Sequence, residues 1–130
     1  MKVAQKSDWK IKPLPKQRET MSIGLRFSSG EMQKIRQGFI PSMMEEKWFI
    51  YFNDNVLHIH RSWTGYCIYE AHFREVAVGF MLTHADVNRY PKQYSNTDSS
   101  HDREKIVHLI KMFLFEQYSG CDDSKGVNNI

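Results

Sequence analysis

His58 and His60 stand two residues apart in this 130-residue chain, as do Glu70 and His72. On extended backbone, positions two apart point to the same face about 7 Å from each other, so each pair presents two ligand groups on one side. If the two stretches are neighbouring strands, His58, His60, Glu70 and His72 form a nitrogen- and oxygen-rich set suited to a divalent metal, with an open position that activates water for hydrolysis. The competing reading is a plain polar sheet face, solvated or covered by a helix, which shows the same period of two.

A second constellation follows His60. Arg61, Ser62, Trp63, Thr64 and Tyr66 group a guanidinium, two hydroxyls and two aromatic rings around Gly65. Arginine clamps a phosphate or carboxylate with two parallel hydrogen bonds, and Trp or Tyr stacks on a base or sugar. A ligand carrying an anion and a ring fits this set. Here too a structural role competes: Arg61 pairs with an acid at the sheet end and Trp63 closes the core over the hairpin. No Ser-His-Asp or Cys-His arrangement can be argued, since Ser62 beside His60 has no favourable geometry and Cys67 is expected to face the core. Glu45 and Glu46 read as a charged lead into a strand and not as paired catalytic carboxylates.

The elements that must position these groups are legible in part. Lys47 to Phe52 is rich in β-formers, and Asp54-Asn55 makes a two-residue hairpin turn into Val56 to Arg61. Pairing 52 with 57 and 50 with 59 places Trp48, Ile50, Phe52, Leu57 and Ile59 on one apolar face, with Phe49, Tyr51, His58 and His60 opposite. For the next turn, a two-residue Thr64-Gly65 loop would set Glu70 beside Ile59 in the core, at a cost of several kcal/mol for an unpaired carboxylate. A three-residue Trp63-Thr64-Gly65 loop, with Gly65 in the left-handed conformation of a bulge, sets Tyr69 there instead and is preferred. Cys67, Tyr69, Ala71 and Phe73 then join the core face; Ile68, Glu70 and His72 join the outer one. A fourth strand is expected over Val76 to His84, and Ala85 to Thr97 reads as a long surface loop.

Two helices flank these strands. Ser28-Ser29-Gly30-Glu31 has capping-box spacing, Phe27 and Met32 take the staple positions, and Met32, Ile35 and Phe39 form one stripe that Gly38 and Pro41 end. A longer helix starts near Asp98 to Ser100, with Asp102 and Glu104 favourable to its dipole, and stops at Gly120. Its residues Ile106 to Tyr118 are apolar on nearly every side, so it packs beneath other elements or meets a second copy of the chain. The expected architecture is therefore α+β: an antiparallel meander of three to four strands with a short N-terminal and a long C-terminal helix.

Composition bounds the rest. At 41% apolar and 25% charged the chain is ordinary for one globular domain, and it contains neither an apolar run long enough to span a membrane nor a secretory h-region. A cytoplasmic protein with Cys67 and Cys121 as free thiols is expected. Residues 1–20 hold six basic side chains against Asp8 and Glu19, a balance of +4 that leaves −1 for residues 21–130 of the overall +3. The domain organisation expected is a basic flexible arm over 1–20, a single domain over 21–120 and a disordered tail over 121–130. Nucleic acid is not favoured as a partner, because the charge belongs to the arm; Trp9 and Ile11 point instead to an arm that lays a ring on the domain or on a second subunit.

Lys47-Trp48-Phe49-x-Tyr51 followed by His60-Arg61-Ser62-Trp63-Thr64-Gly65 resembles a signature of short, uncharacterised bacterial proteins loosely associated with ADP-ribose processing. The resemblance covers about Met44 to Phe73, extending to Asp86-Val87-Asn88-Arg89 and the final helix. It implies a nucleotide-like ligand at Arg61, Trp63 and Tyr66, while nothing here matches the acidic motifs of ADP-ribosyl hydrolases, so binding is favoured over turnover. The functional expectation is a non-enzymatic binding or accessory domain, self-associating as a homodimer through the last helix or the sheet beside it. The alternatives are a His-based metal hydrolase, and a structural dimer or weak nucleic-acid binder through the arm. No motif implies a particular cofactor.

Overall fold

A computed structural model describes residues 3–115. The chain is α+β with one five-stranded antiparallel sheet: β1 (Arg18–Phe27), α1 (Ser29–Gln37), β2 (Trp48–Asn53), β3 (Val56–Arg61), β4 (Cys67–Glu75), β5 (Phe80–Asn88) and α2 (Ser99–Leu109). Strand order is β1-β5-β4-β3-β2, so β2 to β5 form the expected meander and β1 closes the far side by pairing with β5. Among the described residues no helix is long and apolar enough to cross a membrane.

Local sequence signals act where they are strongest. Asp54 and Asn55 both have positive φ, 55° and 65°, giving the primed turn whose twist matches the flanking strands. It fixes the register Phe52↔Leu57 and Ile50↔Ile59. The next turn takes Gly65 in the expected left-handed conformation, φ 79°, but its loop has four residues, Ser62 to Gly65, and not three: the Arg61 N–H donates to the Tyr66 carbonyl and the Gly65 N–H to the Arg61 carbonyl, and the expected pairing of Ile59 with Tyr69 is reached through a separate register shift. Ser28 and Glu31 cap α1 reciprocally, and Gly38 ends it. Trp48, Ile50, Leu57, Ile59, Tyr69, Ala71 and Phe73 are all buried in one core with Met32 and Ile35 of α1 and Ile106, Leu109 and Ile110 of the last helix.

Five points depart from the sequence reading. First, β1 was not expected at all; Met21, Ile23 and Leu25 reach the core, but Gly24 and a register shift between Ser22 and Leu25 break the alternation that would have marked a strand. Second, the fourth strand of the meander is Phe80–Asn88 and not Val76 to His84. It takes Ala85 to Asn88 from the expected loop, and Val76 to Gly79 forms the turn, where the Val76 N–H donates to the Gly79 carbonyl.

Third, the bulge lies one residue into β4: Ile59 pairs with Tyr69 but His60 pairs with Cys67, which moves Cys67 to the outer face and sends Ile68 into the core. The thiol is free and buried. Fourth, α2 gives way after Leu109 to a π-helical segment, Ile110–Phe115, within the expected long helix; the end expected at Gly120 and the tail with Cys121 lie outside the described residues. The apolar surface that raised the expectation of self-association is largely covered within the chain, since Phe113 packs on Phe39 at 4.8 Å, Phe115 on Phe27 at 5.8 Å, and Leu114 is buried.

Fifth, residues 4–12 are not a free arm but lie against the outer face of the sheet near β2 and against the turn between β3 and β4, so that Trp9 lays its ring on the domain as its place in the sequence suggested. Trp9 stacks on Phe49 at 5.8 Å and donates its indole N–H to the Ser62 carbonyl at 2.9 Å. Ala4 joins Phe49 and Tyr51 in a second, smaller core. Gly65 holds this segment as well, because its carbonyl accepts the Lys12 N–H at 2.9 Å and a Cβ there would run into the Lys10 carbonyl oxygen. Gly65→Val is therefore expected to cost about 2 kcal/mol, combining a left-handed β-branched residue with displacement of the segment. Urea denaturation measures it, and an unchanged midpoint would reject the role assigned to this turn.

Candidate functional site

The hairpin that joins β3 to β4 carries the aromatic and basic constellation. Trp63 stands at its tip with 64% of its surface exposed, so it does not close the core. It is nonetheless held in place, because its indole N–H donates to the Met44 carbonyl at 2.9 Å and the Lys47 ammonium lies 5.5 Å from its ring centre. Arg61 lies 5.3 Å over the Trp48 ring and has no carboxylate within salt-bridge distance among the described residues. A pinned, exposed aromatic beside a guanidinium that rests on the Trp48 ring without a carboxylate partner among the described residues loses little conformational entropy when it takes a ligand.

Two recesses flank Trp63 and Thr64. One, of about 190 Å³, is lined by Lys47, Arg61, Tyr66 and Gln93 with the Trp63 and Thr64 side of the turn. The other, of about 390 Å³, lies between the turn and the N-terminal segment and adds Trp9, Lys10, Lys12 and Ser62. Arg61, Trp63, Thr64 and Tyr66 are thus brought together as the sequence suggested. Ser62 borders the second recess, but its hydroxyl donates to the Glu46 carbonyl at 3.1 Å and braces the turn. Lys10, Lys12, Lys47 and Gln93 were not foreseen, because nothing local shows that residues 9–12 and the loop after β5 approach the hairpin.

The histidine face divides. His58 lies 3.3 Å from a Glu70 oxygen, and this contact holds the Glu70 carboxyl below its usual range against its partial burial. His72 Nε2 lies 3.0 Å from Asp86 of β5. Glu70 pairs directly with Asp86 across the strands, and Thr20 of β1 donates to the other Asp86 oxygen. Burial opposes ionisation of Asp86, but the hydrogen bonds from Thr20 and His72 and the nearby imidazoles outweigh it and hold its carboxyl low. His84 stacks on His72 at 4.3 Å. Asp86, His84 and Thr20 escaped the sequence reading because β5 was placed too early and β1 was missing. The strict alternation His84-Ala85-Asp86-Val87-Asn88 is the signal that would have found the first two.

His60 leaves the set. Its ring is buried, Nδ1 lies 2.9 Å from the Gly65 carbonyl and so carries the proton donated to it, and Nε2 has no hydrogen-bond partner among the described residues. Burial lowers its pKa from the ordinary 6.5, the Gly65 contact opposing only in part. The unfolded chain therefore takes up the proton first: the stability tied to the neutral ring is complete above about pH 6.5 and falls as pH drops below that value. Glu70 and Asp86, with lowered carboxyl values, lose their contributions further into acid. His60→Gln is expected to flatten the decline of melting temperature between about pH 6.5 and 5. Equal slopes for parent and variant would reject the buried neutral ring.

Compared with protein-family models, curated proteins and solved structures, the chain matches none of them.

Proposed function

We propose that the protein is a non-enzymatic binding domain for a small ligand that carries an anion and a ring, of nucleotide type, held at the hairpin turn Arg61 to Tyr66. One observation carries this reading: Trp63 is exposed, pinned in orientation, and flanked on both sides by recesses that contain basic groups. The smaller recess lies below the roughly 300 Å³ of a typical whole-ligand pocket, so it accepts one group. An anionic group enters it beside Arg61 and Lys47, the ring stacks on Trp63, and the remainder extends toward Lys10 and Lys12. Tyr66 lines the smaller recess, and Thr64 borders both. The resemblance of the Lys47 to Gly65 pattern to proteins associated with ADP-ribose processing makes ADP-ribose and AMP the first probes.

The expected result in a titration with ADP-ribose is micromolar binding that Arg61→Ala and Trp63→Ala each weaken at least tenfold, since charge-assisted pairing and stacking supply roughly 1–3 kcal/mol apiece. His58→Ala, away from the turn, leaves binding unchanged. Melting temperatures are read in parallel; for Trp63→Ala they should hold, because the ring is exposed. Folded Arg61→Ala and Trp63→Ala proteins that bind like the parent would move the site elsewhere.

A further inference from the structure

On the outer face of the sheet, away from the hairpin turn, one ligand atom each from Glu70, His72 and Asp86 lie within 4.8 Å of one another. We propose that these three side chains form a binding site for a first-row divalent transition ion such as Zn²⁺. Three observations converge on it. Glu70 and His72 alternate on β4 and Asp86 is the direct cross-strand partner of Glu70, so all three leave the same face of a rigid scaffold. Two carboxylates directly opposite each other repel, and a cation between them offsets that repulsion. No Lys or Arg forms an ion pair with either among the described residues; the Arg18 guanidinium, whose charge is felt by Glu70, is held on the Leu14 and Pro15 carbonyls.

An outer shell is also in place. His58 meets Glu70 at 3.3 Å, and Thr20 donates to the Asp86 oxygen that does not face His72. Ligating groups are oriented by hydrogen bonds of this kind. His84, stacked on His72 at 4.3 Å, fixes the plane of that ring. Ligands about 2.0–2.2 Å from an ion stand roughly 3–3.5 Å apart, and His72 Nε2 and Asp86 Oδ2 are already 3.0 Å apart. Closing the site therefore asks for a rotamer adjustment of about an ångström by Glu70. One imidazole with two carboxylates selects transition ions over Ca²⁺ and Mg²⁺, which take all-oxygen sets.

Calorimetric titration of the untagged, metal-free protein at neutral pH with Zn²⁺ tests this, with Mg²⁺ and Ca²⁺ as competitors. The expected result is one equivalent bound, undisturbed by a hundredfold excess of either competitor, with Asp86→Asn and His72→Gln each weakening binding more than tenfold. Thr20→Val, which removes only an outer-shell bond on an exposed edge, weakens it by roughly tenfold and covers the case in which a ligand variant fails to fold. His108→Ala, on the last helix, has no effect. The proposal is overturned if Zn²⁺ does not bind. Undiminished binding by folded Asp86→Asn and Thr20→Val proteins would overturn it equally, placing the ion on other groups.

Discussion

Asp102→Ala is expected to lower stability by about 3–5 kcal/mol, the typical cost of removing one partner from a buried ion pair. The Asp102 carboxylate is fully buried near the start of α2. One of its oxygens accepts from the Arg89 guanidinium at 2.7 Å, and the other accepts from the Tyr69 and Tyr94 hydroxyls and the Asn96 amide. Arg89 also reaches Glu19 of β1 at 2.8 Å and the Asn96 carbonyl at 3.0 Å. Partial burial works against the guanidinium charge, but Asp102 and Glu19 outweigh it and raise the Arg89 pKa. Asp102 and Arg89 together thus join β1, the start of β4, the loop after β5 and α2.

Truncation leaves the guanidinium with Glu19 and the Asn96 carbonyl alone, and the two phenols with only each other, in a site built to surround a charge. Asp102→Asn keeps the shape and some of the hydrogen bonds, so it should cost less than alanine. Both are measured by urea denaturation at neutral pH. An alanine variant within 1 kcal/mol of the parent would show that helix packing alone seats α2 and that the network follows from it.

Deleting residues 1–16 should cost about 3 kcal/mol. Charge alone suggests that this deletion is harmless, since the segment reads as a solvated basic arm. In the fold it covers Phe49 and Tyr51, which are fully and almost fully buried on the outer face. Each is a large side chain whose burial is worth roughly 1.5–3 kcal/mol, against which stands the entropy of ordering the segment. The deletion also removes the Ala4 N–H bond to the Gln37 carbonyl, the Lys12 N–H bond to Gly65 and the Trp9 bond to Ser62. It would leave β1 intact, because that strand starts at Arg18. Thermal melting with a hydrophobic dye reads both effects: an earlier transition and increased dye binding by the native state. A truncated protein that melts with the parent and binds no extra dye would return residues 1–16 to the solvent. Because Lys10 and Lys12 line the larger recess beside Trp63, the same deletion should weaken ligand binding at the hairpin turn, whereas Zn²⁺ binding at the outer face should persist in whatever fraction remains folded.

What the sequence by itself determined are the features set by a few adjacent residues. The Asp54-Asn55 turn requires two positive φ values that Asn and Asp tolerate, the Ser28 to Glu31 cap is closed by residues three apart, and the penalty for burying Glu70 assigned Tyr69 to Ile59, although the loop has four residues and not the three expected. Through the register these turns impose, the core faces of β2 and β3 and the grouping of Arg61, Trp63 and Tyr66 were legible as well. Tertiary structure decided what depends on contacts distant in the chain. β1 pairs with β5 some sixty residues away and carries a break in its alternation at Gly24, so its period is obscured in the sequence. The placement of the bulge decided that Cys67 and not Ile68 faces outward. Asp86 and His72 meet because two strands lie side by side, and His60 leaves the histidine face because the Gly65 carbonyl captures its ring nitrogen. Residues 4–11 pack because the sheet offers two aromatic rings to cover; Trp9 and Ile11 pointed to such packing, but the surface they cover is set by the fold. Local conformational preference is written in neighbouring residues; the burial and pairing of a charge depend on what the rest of the chain brings to it.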